Sequence, residues 1–89
     1  MTHTHNLNNF RLRHDGREYV LYAKVHYTVE KDEGGDEAVF ESAVVEEAIG
    51  QSGIIRERKF LDSLEMPLLG VLNNDVHIAR SVALRSKKS

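Results

Sequence analysis

Glu18-Tyr19-Val20-Leu21-Tyr22-Ala23-Lys24-Val25-His26-Tyr27-Thr28-Val29-Glu30 is the stretch that decides the fold. Tyr19, Leu21, Ala23, Val25, Tyr27 and Val29 fall on one side of an extended chain, and Lys24, His26, Thr28 and Glu30 on the other. That period-two alternation is the mark of a half-buried β-strand. The aromatic and β-branched residues in it favour the same conformation. A strand this long exceeds the usual length of roughly five or six residues, which implies a bend, a bulge or a ribbon projecting beyond the sheet.

On the N-terminal side, Asn9-Phe10-Arg11-Leu12-Arg13 alternates in the same way, and His14-Asp15-Gly16-Arg17 joins it to the long strand. An Asp-Gly pair tolerates the positive φ angles of a tight hairpin turn, so the two segments form a β-hairpin. Residues 1–8 are polar and unpatterned, and are expected to be a flexible tail.

On the C-terminal side, Lys31-Asp32-Glu33-Gly34-Gly35-Asp36 has the composition of a turn. Residues 37–49 carry conflicting propensities, Ala and Glu favouring helix and Val39, Phe40, Val44 and Val45 favouring strand. On a helical wheel their apolar residues scatter, so a strand pairing back onto residues 19–29 is the better reading. Between Ile54 and Met66, Phe60, Leu61 and Leu64 recur at helical spacing, and Pro67 places a break at Met66 before a short turn over residues 68–72. Past Asn73-Asn74-Asp75, Val76, Ile78, Val82 and Leu84 alternate with small or polar residues, which reads slightly better as a strand than as a helix.

These segments predict an α+β fold, a small antiparallel sheet with a long hairpin covered by one or two helices. Strands are expected near 9–14, 17–30 and 37–46, a helix near 56–66 and a less defined element at 75–85. At 89 residues one domain is expected, spanning 9–85 between the tail at 1–8 and a basic tail at 86–89. The expected core is Phe10, Leu12, Tyr19, Leu21, Val25, Tyr27, Val29, Phe40, Val44, Phe60, Leu61, Leu64, Leu68 and Leu72.

The chemistry is defined largely by exclusion. With no cysteine there is no disulfide framework, thiolate metal site or cysteine nucleophile. The five histidines, His3, His5, His14, His26 and His77, lack the spacing of a zinc site, and exposed or hydrogen-bonded imidazoles are expected. His3 and His5 near an amino terminus are a weak pattern for Cu(II) or Ni(II), one that many unstructured peptides share. No serine sits in a nucleophile-elbow motif, and the acids beside Gly34-Gly35 would repel a nucleotide phosphate. No catalytic residue, metal or cofactor is therefore assigned. The start lacks a secretory pattern and no apolar run approaches the roughly 20 residues of a membrane span, so a cytoplasmic location without membrane attachment is expected.

Charge is segregated along the chain even though the net charge is only −2. Glu30, Asp32, Glu33, Asp36, Glu37, Glu41, Glu46 and Glu47 face a single Lys31 within residues 30–47, and basic residues gather elsewhere. The functional expectation is a non-enzymatic protein–protein interaction module, an inhibitor or adaptor that presents Glu30, Asp32, Glu33, Asp36, Glu37 and Glu41 to a basic partner protein. The alternatives are a nucleic-acid-binding accessory protein using Arg11, Arg13, Arg80 and Arg85, and a homo-oligomer such as a dimer whose assembly is its role. A small enzyme without a sequence motif is the remaining class.

Overall fold

The long alternating segment is the second strand of a four-stranded antiparallel sheet. The computed structural model describes residues 2–87, and of residues 32, 86 and 87 only the backbone. β1 (His3–His14), β2 (Arg17–Asp32), β3 (Gly35–Gly50) and β4 (Gly53–Ile55) pair in chain order, and α1 (Arg58–Ser63), α2 (Glu65–Asn74) and α3 (Val76–Lys87) follow. The class is α+β, with the helices packed on one face of a curled sheet.

Each pair of consecutive strands is joined by a two-residue turn, Asp15-Gly16, Glu33-Gly34 and Gln51-Ser52. Asp15 and Gly16 have φ of 51° and 75°. Positive φ at both central residues is the type I′ turn whose twist matches that of the flanking strands.

β2 keeps its alternation from Tyr19 to Val29, and the curl comes from its neighbours. β1 sets Asn8 and Asn9 against Tyr22, while β3 inserts Glu46 opposite the Tyr22–Ala23 step and Glu41 opposite the His26–Tyr27 step. Extra residues on both flanking strands bend the sheet and raise its twist. The Tyr22 hydroxyl donates to Asn9 Oδ1 at 2.6 Å and ties the β1 bulge, where Asn9 has φ 59°, to the centre of the sheet.

The bulges also decide which residues face the helices. Tyr19, Leu21, Ala23, Val25 and Tyr27 of β2 are buried beside Leu7 and Leu12 of β1 and Ala38, Phe40, Ala43, Val45 and Ala48 of β3. Phe40 and Ala43 are an odd number of residues apart because Glu41 intervenes as a bulge, and the inward parity of β3 switches there. Val44, expected in the core with Phe40, is therefore 48% exposed on the outer face. The other expected core residues are buried or packed against the core.

The helices close the inner face with Leu61, Leu64, Leu68 and Leu72, all under 2% exposed and spaced to fall on one side. Each such leucine contributes about 2 kcal/mol by leaving water. The helix expected at 56–66 is broken three residues before Pro67, at Leu64. Pro67 lies in the first turn of α2, where its missing N–H has no intrahelical acceptor to lose. The proline thus belongs to the start of a second helix that runs on to Asn74.

Further expectations are corrected. The element at 75–85, read as a strand, is the helix α3. Its buried residues are Ala79, Val82 and Ala83, at helical spacing, whereas Val76 and Leu84 of the apparent alternation are exposed. Asp75 starts it, its Oδ1 accepting from the N–H groups of His77 at 3.0 Å and Ile78 at 3.2 Å, an N-cap arrangement. Residues 3–8, read as a flexible tail, are the first half of β1, paired with β2 from His3 opposite Tyr27. The His3 ring stacks on Tyr27 with centroids 5.2 Å apart, Thr4 Oγ1 lies 3.1 Å from His26 Nδ1, and Leu7 is buried. Of the basic tail expected at 86–89, α3 includes the backbone of Ser86 and Lys87, and Lys88 and Ser89 lie outside the described residues.

The far edge of β3 pairs with β4 only from Ala48 to Gly50. Along the rest, helix side chains supply the missing strand. Asn73 Oδ1 accepts from Phe40 N–H and Asn73 Nδ2 donates to Phe40 O, both at 2.9 Å. Glu65 Oε1 accepts from Ala43 N–H at 3.1 Å, and Arg58 Nη2 donates to Val45 O. Replacing Asn73 by Leu leaves both Phe40 backbone groups unpaired beneath the helix, at a cost of about 1–3 kcal/mol. The expected lowering of the urea midpoint without change in slope is read by equilibrium denaturation, and an unchanged midpoint would contradict this role for Asn73.

Candidate interaction surface

The acidic residues singled out by composition lie on a hairpin, not on an irregular loop. β2 continues to Asp32 and β3 resumes at Gly35, with Glu30 opposite Glu37, Lys31 opposite Asp36 and Asp32 opposite Gly35. Two carboxylates facing one another across an antiparallel pair repel, and a folded hairpin has to absorb that cost elsewhere.

Part of the compensation comes from α3. Arg80 Nε lies 3.5 Å from Glu37 Oε1, and the Arg80 guanidinium extends over the turn at Gly34. A Cβ at position 34 would meet Arg80 Nη2, so with glycine there the guanidinium lies directly against the turn, and any larger residue would make the end of the arginine side chain shift. The last helix thus steadies the tip of the longest hairpin through one cation.

The structure gathers Glu30, Glu33, Asp36 and Glu37 at this tip, Glu30 and Glu33 exposed and Asp36 and Glu37 half-buried. The backbone of Asp32 belongs to the same tip, and its side chain lies outside the described residues. Glu41 stands apart, exposed at the first β3 bulge, about 13 Å along the strand from Glu37 at the usual rise per residue. Glu46, which the sequence reading did not select, is exposed at the second bulge, and Glu47 beside it is held by Arg56 at 3.0 Å. The signal for both bulges is in the sequence, because Glu41-Ser42 and Glu46-Glu47 each put two polar residues in succession inside an apolar strand.

The arginines of the nucleic-acid alternative are dispersed. Arg80 is at the hairpin tip, Arg85 acts on His5, and Arg11 and Arg13 lie in the far half of β1. Arg13 is opposite Glu18 and, with Arg17, Gln51 and Ser52, borders a groove of about 540 Å³ between the first and third turns, floored by Tyr19 and Ile55. At the strand rise, Arg13 is roughly 25 Å from the His5–Arg85 neighbourhood.

Among the described residues, no cluster of three or more His, Asp or Glu side chains is placed to hold a metal ion, and no helix is long and apolar enough to cross a membrane. No family model matches the chain, and no curated protein or solved structure shows a significant match to it.

One titrating group reports on the junction between β1 and α3. His5 is half-buried opposite Val25, and its pKa is lowered, first by burial and second by the positive charge of Arg85. The unfolded chain therefore takes up a proton at a higher pH than the folded chain does. The His5 contribution to stability is complete above the ordinary value of 6.5 and is lost progressively as pH falls toward the lowered folded value. His5→Gln removes this dependence, so the drop in unfolding free energy between about pH 7.5 and about pH 5.5 is expected to be smaller in the variant. Urea denaturation at the two pH values measures it, and equal drops would contradict the assignment.

Proposed function

We propose that this chain is a non-enzymatic protein–protein interaction module, an inhibitor or adaptor, that offers the acidic β2–β3 hairpin to a basic partner. The observation that carries the reading is the like-charged Glu30–Glu37 pair on an ordered hairpin end. Two opposed carboxylates weaken the hairpin when it is alone and gain energy when a cationic surface docks over them. Arg80 offsets Glu37 from within, and Glu30 and Glu41 are exposed toward an external partner.

The exposure of Glu30 and Glu41 supports recognition, because carboxylates on an exposed hairpin face suit electrostatic steering of an approaching protein. A basic, nucleic-acid-handling protein fits the chemistry, its phosphate-binding groove receiving carboxylates in place of phosphates.

The test compares the intact chain with the double variant E30Q/E41Q as bait for partners in a cell extract. These two are replaced because Glu37 holds Arg80 and its loss would confound binding with folding. The reading requires capture of a basic protein by the native chain at low salt, release as salt rises to about 0.5 M, where screening is strong, and loss of capture by the double variant. Equal capture by both baits would overturn it.

A further inference from the structure

The two outer edges of the sheet are treated differently. The outer backbone of β3 is engaged by Arg58, Glu65 and Asn73, whereas β1 packs against β2 and, among the described residues, no strand pairs with its 12-residue outer edge. At the usual rise this edge is about 40 Å long, close to the 43 Å long axis of the molecule. An open strand edge is a template for another strand.

The bulge makes that edge symmetric. His3, His5 and Leu7 face inward before it, and Phe10, Leu12 and His14 face inward after it, so the inward positions are odd in the first half and even in the second. The pattern of inward and outward residues therefore reads the same from either end about a midpoint between Asn8 and Asn9. A regular strand can be paired with itself in register only through residues of equal parity, and the bulge changes that rule.

We infer that two copies of this chain join through β1 in an antiparallel, two-fold pairing with the axis between Asn8 and Asn9, continuing the sheet across the dimer. In this register Leu7 meets Phe10 of the other copy on the inner face, which adds cover to the half-buried Phe10. On the outer face Asn6 meets Arg11, and Thr4 meets Arg13. β1 contains no acid, and its two arginines lie in the same half, so the antiparallel arrangement sets each opposite a neutral residue of the other copy. An in-register parallel pairing, or an antiparallel one centred on the C-terminal half of β1, would bring the arginines together.

The masked edge of β3 fixes the size of the assembly. A β1-to-β3 contact between copies would repeat without closing and build a fibre, but Arg58, Glu65 and Asn73 occupy the positions it needs. The β1 pairing is isologous and stops at two.

The full chain is examined by sedimentation velocity from about 1 to about 100 µM, a range that covers dimers of modest affinity. A species of twice the chain mass is expected, and a monomer throughout overturns the inference. The register is read separately by cysteine pairing, since the native chain has no cysteine. Oxidised N6C/R11C is expected to form a covalent dimer, whereas N6C and R11C singly are not, because identical residues are about 17 Å apart across the axis. Absence of cross-linking in the double variant, or equal cross-linking in the single ones, overturns the register. Asn6→Lys places a like charge opposite each Arg11 and is expected to weaken the dimer about tenfold, with N6K/R11E restoring it. Circular dichroism confirms that each variant is folded, so that a loss of mass reports on association.

Discussion

The far side of β3 is the constraint from which the architecture follows. A long strand beneath a helical layer must satisfy a second row of backbone groups away from bulk water, and each group left unpaired is expensive. β4 serves only the last few residues. Arg58, Glu65 and Asn73 serve Val45, Ala43 and Phe40 in turn, so the helical stretch runs antiparallel to β3 and is held alongside it by directional bonds. Apolar contact between the leucine row and the sheet supplies most of the stabilisation, and it is not directional in itself. The amide of Asn73, which imitates a strand residue with one donor and one acceptor, adds the directional constraint. Once that line is set, the inner face is covered, the β3 edge is blunted and α3 is carried to the end of the longest hairpin.

The electrostatic design follows from the same geometry. Of the carboxylates along β3, Glu37 and Glu47 are answered by Arg80 and Arg56, while Glu41 and Glu46 stand exposed at the bulges. Bulges that bend the sheet for packing therefore also push charges outward. In the two-fold arrangement inferred for β1, the acidic hairpin tips of the two copies lie at opposite ends of the joint sheet. Taken with the proposed function, this arrangement would direct the two acidic tips toward separate partners.

How much of this was legible in the amino-acid sequence depends on whether an element declares itself locally. β2 does, because its alternation is unbroken, and Asp15-Gly16 marks the turn before it. The preference for strand over residues 37–49 matches β3, and the acidic Gly34-Gly35 segment forms the expected reversal. The inward set on β3 was hidden, since each bulge shifts parity and the shift moves Val44 from the core to the surface. The first half of β1 was hidden for another reason, as it is held by His3 stacking and by pairing to β2 rather than by an apolar face. The strand-like pattern over α3 comes from Val76 and Leu84, which are exposed, whereas two of its buried residues, Ala79 and Ala83, are small and add little to an apolar periodicity. Its Asp75 cap was the local sign available. The acidic tip could be located from composition, whereas the docking of Arg80 on Glu37 joins residues far apart in the chain and leaves no local trace.

The two-residue turns have a consequence for how this chain finds its fold. Every strand pairs with the strand next to it in sequence, so each pairing can grow outward from a short closed turn at little loop-closure cost. The bonds between Asn73 and Phe40 span 33 residues and have no partner until β3 exists. Closing the helical layer onto the sheet therefore carries a larger loop-closure cost than nucleating any one of the three strand pairings.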